Sequence, residues 1–306
     1  MKTLLVVNPH SANCSTGRDW PKIREGIIQN IGEFDEAFTQ APDDATQIVR
    51  AALQSGTERI ICVGGDGTSN EIVNGFFSNG QPINPDACLG LVPRGTGGDL
   101  RKTFGLGKKP GEYLPVLAAG KTQKVDVGHT RFVNAEGQAQ ERMFINITSF
   151  GIGGLVDLLV NRTTKALGGK ASFFMGTARA IIRYRNQTIR LKVDDHFDEE
   201  IRINNVAVAN GQYHGGGMWV APMAEIDDGL FDVVIFGDLS KWEFITKGTR
   251  VYKGTHLDLA KVRALRGKRI EATSDEEVLI DMDGEQPGRL PITLEVMPKA
   301  IKLIVP

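Results

Sequence analysis

The residues of this chain best equipped for chemistry lie in three loops rich in hydrogen-bond donors. Gly64-Gly65-Asp66-Gly67-Thr68-Ser69-Asn70-Glu71 follows the apolar run Ile60–Val63 and leads into helical spacing at Ile72, Val73 and Phe76. Glycines let backbone N–H groups converge on phosphate oxygens, and a helix N-terminus adds a favourable dipole. Asp66 would repel a bare triphosphate, so it suits such a cradle only with Mg²⁺ or a hydrogen-bonded ribose in between. The same residues also suit a tight turn with Thr68 capping a helix. No GxxxxGK[ST] is present, which excludes a P-loop protein. The second loop, Pro93-Arg94-Gly95-Thr96-Gly97-Gly98-Asp99, follows Leu89–Val92 and offers further donors, with Asp99 placed to cap a helix or reach a metal through water. The third, Asn8-Pro9-His10-Ser11-Ala12, follows Leu4–Val7. Near the C-terminus, Asp283-Gly284 reads from its residue types as a two-residue type I′ hairpin turn.

The elements that must position these loops alternate strand and helix through the first third. Leu4–Val7, Phe34–Thr39, Ile60–Val63 and Leu89–Val92 read as strands. Trp20, Ile23, Ile27, Ile28 and Ile31 mark one helix face. Asp43-Asp44 can cap a second helix that buries Ala45, Ile48, Val49 and Ala52, and a further helix covers Asp99–Phe104. Continuous apolar strands between amphipathic helices indicate a parallel sheet covered on both faces, with ligands at the strands' C-terminal ends. From about residue 123 the texture becomes strand after strand: Val125–Val133, Arg142–Ser149, Ile189–Val193, Ile203–Ala209, Leu230–Phe236, Ile270–Thr273 and Val278–Met282. Helical segments interrupt it at Ala171–Tyr184 and about Lys241–Tyr252. The expected architecture is an α/β nucleotide-binding domain, residues 1–122 plus 293–306, and an antiparallel β-sandwich, residues 123–292. The strand Ile301–Val305 is expected to return to the first sheet.

Composition limits the alternatives. The chain has 306 residues, 41% hydrophobic, which is enough apolar surface to exclude intrinsic disorder. A net charge of −1 excludes a globally basic nucleic-acid binder. Cys14, Cys62 and Cys88 are far apart, so neither a disulfide scaffold nor a structural zinc site is expected. The apolar start, Leu4–Val7, is too short for a signal peptide, and Met143–Val156 is too short for a membrane span. A soluble cytoplasmic protein is expected. Glycine is in excess, 36 of 306 residues or about 12% against a background of about 7%, and clusters after apolar strands.

Taken together, strand–Asn8-Pro9, then Gly64-Gly65-Asp66-Gly67-Thr68 with Asn70-Glu71, then Pro93-x-Gly95-Thr96-x-x-Asp99 resemble the diacylglycerol kinase catalytic-domain superfamily of lipid kinases. The likeness continues through Asn210-Gly211, Gly217-Met218, Val220-Ala221-Pro222-Met223-Ala224, Asp228-Gly229-Leu230 and Asp283-Gly284-Glu285. Gly98 stands where that family usually has Asn, and Asn13-Cys14 where a glycine is common. The resemblance implies a fold of the NAD kinase/diacylglycerol kinase type and transfer of the γ-phosphoryl group of ATP to a lipid hydroxyl. It implies ATP binding by Asn8, Pro9, Thr39, Gly65, Asp66, Gly67, Thr68, Ser69, Asn70, Glu71, Thr96 and Asp99. It implies Asp283 as general base, with Glu285 organising metal-bound water. It also implies a structural Mg²⁺ held by Asp228 with the carbonyls of Glu225 and Leu230, and a separate Mg²⁺ with the nucleotide.

Between Leu158 and Val193 there is no Asp or Glu, while Arg162, Lys165, Lys170, Arg179, Arg183, Arg185, Arg190 and Lys192 all occur. Phe173, Phe174, Met175, Ile181 and Ile182 are interleaved with them, so the segment suits either peripheral contact with the inner face of a membrane or a core-facing helix with a solvated basic face. The partner implied is a lipid alcohol, diacylglycerol-like, with no nucleic acid; the oligomeric state, a homodimer included, stays open. The competing functions are an NAD kinase-like enzyme and a catalytically silent lipid-responsive module. Five carboxylates, Asp66, Asp99, Asp228, Asp283 and Glu285, argue against the silent module.

Overall fold

A computed structural model describes residues 1–95, 97–162, 176–177 and 179–306. It divides into two compact units, Met1–Val127 with Pro298–Pro306, and Gly128–Met297.

In the first unit β1 (Thr3–Val7), β2 (Asp35–Phe38), β3 (Arg59–Gly64) and β6 (Cys88–Pro93) are all parallel, in the order β6-β3-β1-β2; a two-strand hairpin, β4 (Phe77–Ser78) and β5 (Gln81–Pro82), lies between β3 and β6 in sequence. The end of the last strand, β19 (Arg289–Ile304), adds to β6 in parallel, Lys302 opposite Cys88. β3 and β6 are buried at every residue, which is why they read as unbroken apolar runs. Helices α1 (Ser15–Ile31), α2 (Asp44–Gln54), α3 (Asp66–Gly75), α4 (Asp99–Thr103) and α5 (Pro110–Ala119) connect them. α1 packs on α5 and α2 on α3. The path from β1 out to β2 and back to β3 puts α1 and α2 on opposite faces, given right-handed crossovers. Gly75 allows the α2–α3 contact, since a Cβ there would lie 2.6 Å from Val49 Cβ.

α1 buries Trp20, Ile23 and Ile27 as its spacing implies. α2 differs from expectation: it buries Ala45, Thr46, Val49 and Leu53, while Ile48 and Ala52 are half-buried. Asp43 makes no side-chain cap. The Asp44 carboxylate accepts from the Gln40 and Ala41 amides, and Glu71 Oε2 takes up the first-turn amide of Ala45 at 3.2 Å.

The second unit is antiparallel. One sheet contains β7 (Thr122–Val133, from Gly128) with β8 (Ala139–Phe144), and β10 (Gln187–Val193), β11 (Phe197–Ile203) and β17 (Arg269–Thr273) beside the first half of β19. The other runs β16-β15-β12-β9-β18, that is Val262–Gly267, Phe231–Phe236, Asn205–Ala209, Ile147–Gly151 and Ile280–Met282. β13 (Tyr213–His214) and β14 (Met218–Trp219) form a small hairpin. α6 (Ile152–Arg162), α7 (Lys241–Lys247) and α8 (Thr249–Tyr252) complete the described elements. Phe132, Phe144, Phe150, Leu191, Phe231 and Leu294 belong to the core shared by the two sheets. Phe144 stacks on Phe231 with ring centroids 5.5 Å apart, and Gly128 must be glycine because a Cβ would lie 1.9 Å from the Phe144 ring.

Three expectations change. Arg142–Ser149 is not one strand, because the chain leaves the ladder at Ile145-Asn146. Ile203–Ala209 likewise belongs to two strands, and β11, with four charged residues on the exposed edge of its sheet, has no apolar run to mark it in sequence. The helix at Lys241–Tyr252 breaks at Gly248 into α7 and α8. Most of Ala171–Tyr184 lies outside the described residues; its end, 179–183, is helical.

Replacing Phe144 with Ala removes a fully buried, stacked ring and is expected to destabilise the second unit by about 3–5 kcal/mol, measured by denaturant unfolding of the intact chain.

Candidate functional site

The parallel sheet delivers three loops to one edge. α3 begins at Asp66, directly after β3, so the N–H groups of Asp66, Gly67 and Thr68 occupy its first turn and have no intrahelical carbonyl to reach. Gly65 and Gly95 cross backbone to backbone: a Cβ on Gly95 would sit 2.8 Å from Gly65 Cα. That contact locks the β3–α3 loop against the β6–α4 loop. Asn8 at the end of β1 donates from Nδ2 to Thr68 Oγ1 at 2.9 Å, and Gly64 leaves room for the Thr68 side chain, whose Cβ would otherwise be 2.6 Å away. Pro9 O accepts from Gly17 N, and Thr39 N donates to Val7 O, so both sit at the same sheet edge.

Ala12, Asn13 and Cys14 all have left-handed backbone, with φ of 51°, 56° and 63°. Each such non-glycine residue costs roughly 1–2 kcal/mol. Arg94 holds the segment that follows, with Nε and Nη2 donating to Thr16 Oγ1 and Ser15 Oγ and an ion pair to Asp19.

Asp66 has a partner that its sequence setting did not suggest. Its carboxylate accepts from the amides of Gly98 (2.8 Å), Asp99 (3.1 Å) and Leu100 (3.4 Å), capping α4 from another loop. Burial, then the neighbouring Asp99 charge, raise the Asp66 carboxyl above its ordinary range against those donors. The negative end of Asp66 is therefore spent on α4, leaving the α3 terminus as the anion-receptive one. Gly98 has φ +61°, a left-handed conformation that glycine adopts without strain, and a Cβ there would lie 2.8 Å from Arg101 Nε. Asp99 is buried and pairs with Lys102 at 2.6 Å. Ser69 Oγ donates to the Gly65 carbonyl, Asn70 is fully buried with Asn74 donating to it, and Glu71 binds α2. These three support the loop from behind, leaving Asn8, Gly65, Gly67 and Thr68 at its mouth. Thr96 lies outside the described residues. Burial pushes the Cys62 thiol beneath the loop up to about 12, so it stays protonated and inert at neutral pH.

In the second unit Asp283 (φ 50°) and Gly284 (φ 90°) form a two-residue turn, with Met282 and Glu285 exchanging backbone hydrogen bonds. Asp283, 5% exposed, accepts from the amides of Ile145 (3.1 Å), Asn146 (3.1 Å) and Ile147 (3.0 Å), which is why the strand breaks there. Asn146 in turn donates to Tyr213 O, and Asn210 to Ile145 O. Glu285 pairs with Arg142 at 2.9 Å.

At the expected cation site the Asp228 carboxylate is engaged by protein groups. Asp228 Oδ1 accepts from Leu230 N and Oδ2 is ion-paired with Arg266, which also reaches Asp232. Burial raises the Asp232 carboxyl above its ordinary range against the Arg266 charge, and Asp232 Oδ2 is buried without a hydrogen-bond partner. Among the described residues no group of three acidic, His or Cys side chains could hold a metal ion.

The sequence offered signals for three residues that were passed over. Asp157 is the lone charge in Ile152–Val160, Asp281 lies two residues before Asp283, and His214 adjoins three glycines. His214 Nε2 lies 2.6 Å from Asp281 Oδ2.

Residues 2–130 match the diacylglycerol kinase catalytic domain, and residues 146–305 match the YegS C-terminal NAD kinase beta sandwich-like domain. The chain belongs to this family of lipid kinases. A protein of Chromohalobacter salexigens named a probable lipid kinase, YegS-like, is 28% identical, covering 99% of this chain and 93% of its own. A diacylglycerol kinase of Bacillus subtilis (strain 168) is 27% identical, covering 96% and 94%. Crystal structures from Bacillus anthracis str. Sterne share the fold, with TM-scores of 0.79 and 0.72 at 24% and 20% identity, over 100% of this chain and 95% and 97% of theirs.

In this lipid kinase, Gly95→Ala forces a Cβ against the Gly65 backbone. The expected result is a displaced β6–α4 loop and a thermal midpoint lower by about 2 °C or more, read by differential scanning fluorimetry.

Proposed function

We propose that this lipid kinase transfers the γ-phosphoryl group of Mg·ATP to the free hydroxyl of a diacylglycerol. The observation that carries the nucleotide half is the α3 terminus: amides of Asp66, Gly67 and Thr68 presented beside the glycine crossing, with the competing Asp66 charge absorbed by α4. Asn8 and Thr68 fix the rim, and Thr39 and Asp99 border it. Mg²⁺ bound with the nucleotide would neutralise phosphate charge.

The acceptor oxygen attacks the γ-phosphorus, the bond to the bridging oxygen of ADP breaks, and the hydroxyl proton passes to the Asp283 carboxylate. The three amides that bind Asp283 hold it in one orientation, and Arg142 does the same for Glu285. The acceptor class follows the names of the curated relatives, diacylglycerol kinases among them.

A membrane-bound acceptor calls for an interfacial surface. Ile182 (72% exposed), Trp242 (75%) and Ile245 (57%) project near one another, with Lys241 donating to the Ile182 carbonyl. Exposed Lys241 and Arg183 lie beside them, a pairing of indole, aliphatic and cationic groups that suits an anionic bilayer surface. Among the described residues no helix is long and apolar enough to cross a membrane.

Phosphate transfer from radiolabelled ATP to dioctanoylglycerol in mixed micelles tests the reaction, with NAD as the competing acceptor; labelling of NAD alone would overturn it. Asp283→Asn is expected to lower kcat about 100-fold or more while ATP affinity holds, and full-rate turnover would remove Asp283 as the base. Trp242→Ala with Ile245→Ala is expected to weaken binding to phosphatidylglycerol vesicles about fivefold or more in a sedimentation assay.

A further inference from the structure

One carboxyl pair in the second unit, Asp281 buried and Asp157 half-buried, has no part in the proposed proton transfer. Asp281 sits on β18 opposite Ser149 of β9, 1% exposed. Its Oδ1 accepts from Gly284 N at 3.0 Å, the amide inside the Asp283 turn. Its Oδ2 accepts from Ser149 Oγ at 3.1 Å and faces His214 Nε2 at 2.6 Å. Asp157 of α6 comes against the same carboxylate, and its own Oδ2 is buried without a partner. Gly153 makes the approach feasible, because a Cβ there would lie 2.5 Å from Ser149 Oγ and 3.4 Å from Asp281 Oδ2.

Two carboxylates in contact inside a core cannot both be ionised. Burial first, then the Asp281 charge, raise the Asp157 carboxyl well above the ordinary carboxylate range. Burial also works to raise Asp281, but the charge and hydrogen bond of His214, with donors from Asp157 and Gly284, outweigh it and hold Asp281 low. The assignment is therefore asymmetric: Asp157 keeps the proton and donates it in a hydrogen bond to the Asp281 carboxylate. The other charged groups that face the pair among the described residues are His214 from β13 and Glu285 from the turn, itself paired with Arg142 of β8. Ser149 and Asn205, which accepts from Gly153 N, are neutral.

We propose that Asp157, Asp281 and His214 form a buried proton-sharing triad that positions the 281–285 turn, with His214 as its solvent-side member. Asp281 ties Gly284 from below while Asp283 ties residues 145–147 from above, so loss of the Asp157 proton places a second anion beneath the turn. All three are positioning residues, and their effect on turnover rests on the proposed lipid phosphorylation.

The signs follow from proton binding in the folded and unfolded states. Asp157, raised in the fold, lowers stability as pH rises above the unfolded carboxylate range toward its folded value. Asp281, depressed in the fold, gives stability that is lost as pH falls below the unfolded range. Asp157→Asn keeps a donor toward Asp281 but cannot ionise. Relative to the unaltered chain its thermal midpoint is expected to gain about 3 °C or more between pH 5 and 9. His214→Gln keeps a donor without the charge, and is expected to move the acid loss of stability to higher pH.

In the micelle assay Asp157→Asn is expected to keep kcat within about threefold, and Asp157→Ala to lose about tenfold or more at unchanged KM for ATP. A midpoint-against-pH curve identical for the unaltered chain and Asp157→Asn overturns the triad, as does equal kcat for the Asn and Ala variants. The melting curves need no acceptor, so they decide the triad even if diacylglycerol proves the wrong substrate. Should Asp157→Ala fail to fold, the Asn comparison alone still decides it.

Discussion

Backbone amides that leave regular structure must find acceptors, and in this protein buried carboxylates supply them. Asp66 takes three amides at the start of α4, and Asp283 takes three at the break between β8 and β9. An amide left unpaired in such a position costs on the order of 1–3 kcal/mol, so each acid stabilises a loop shape that its own sequence would not hold. Both acids stand in the motifs that carry the family likeness. Their first physical task is to build the loop on which any chemistry depends.

Glycine completes what the carboxylates begin. The Gly65–Gly95 crossing brings two loops closer than side chains allow, and Gly98 takes the left-handed turn that points its amide at Asp66. Gly153 performs the same service around Asp281. Where glycine is missing, at Ala12, Asn13 and Cys14, the backbone is left-handed all the same, and the cost is offset by the hydrogen bonds of Ser11, Thr16 and Arg94 around it.

In the proposed phosphoryl transfer the two units divide the physical work. The parallel sheet offers a helix terminus whose amides suit phosphate oxygens. The antiparallel unit offers a fixed carboxylate on a tight turn, backed by a buried acid pair, and an exposed apolar and cationic surface suited to lipid.

Much of this architecture was legible in the amino-acid order. Buried parallel strands such as Ile60–Val63 announce themselves because both faces are covered, and α1 does so because one stripe must face the sheet. Local periodicity determined the alternating strands and helices of the first third, the antiparallel texture of the rest and the glycine loops. The break at Ile145-Asn146, the capping of α4 by Asp66 and of α2 by Glu71, and the meeting of Asp157, Asp281 and His214 were not local. Each joins residues at least 26 positions apart, and hydrogen bonds and proton sharing act over a few ångströms of space, so only the tertiary structure could choose those partners.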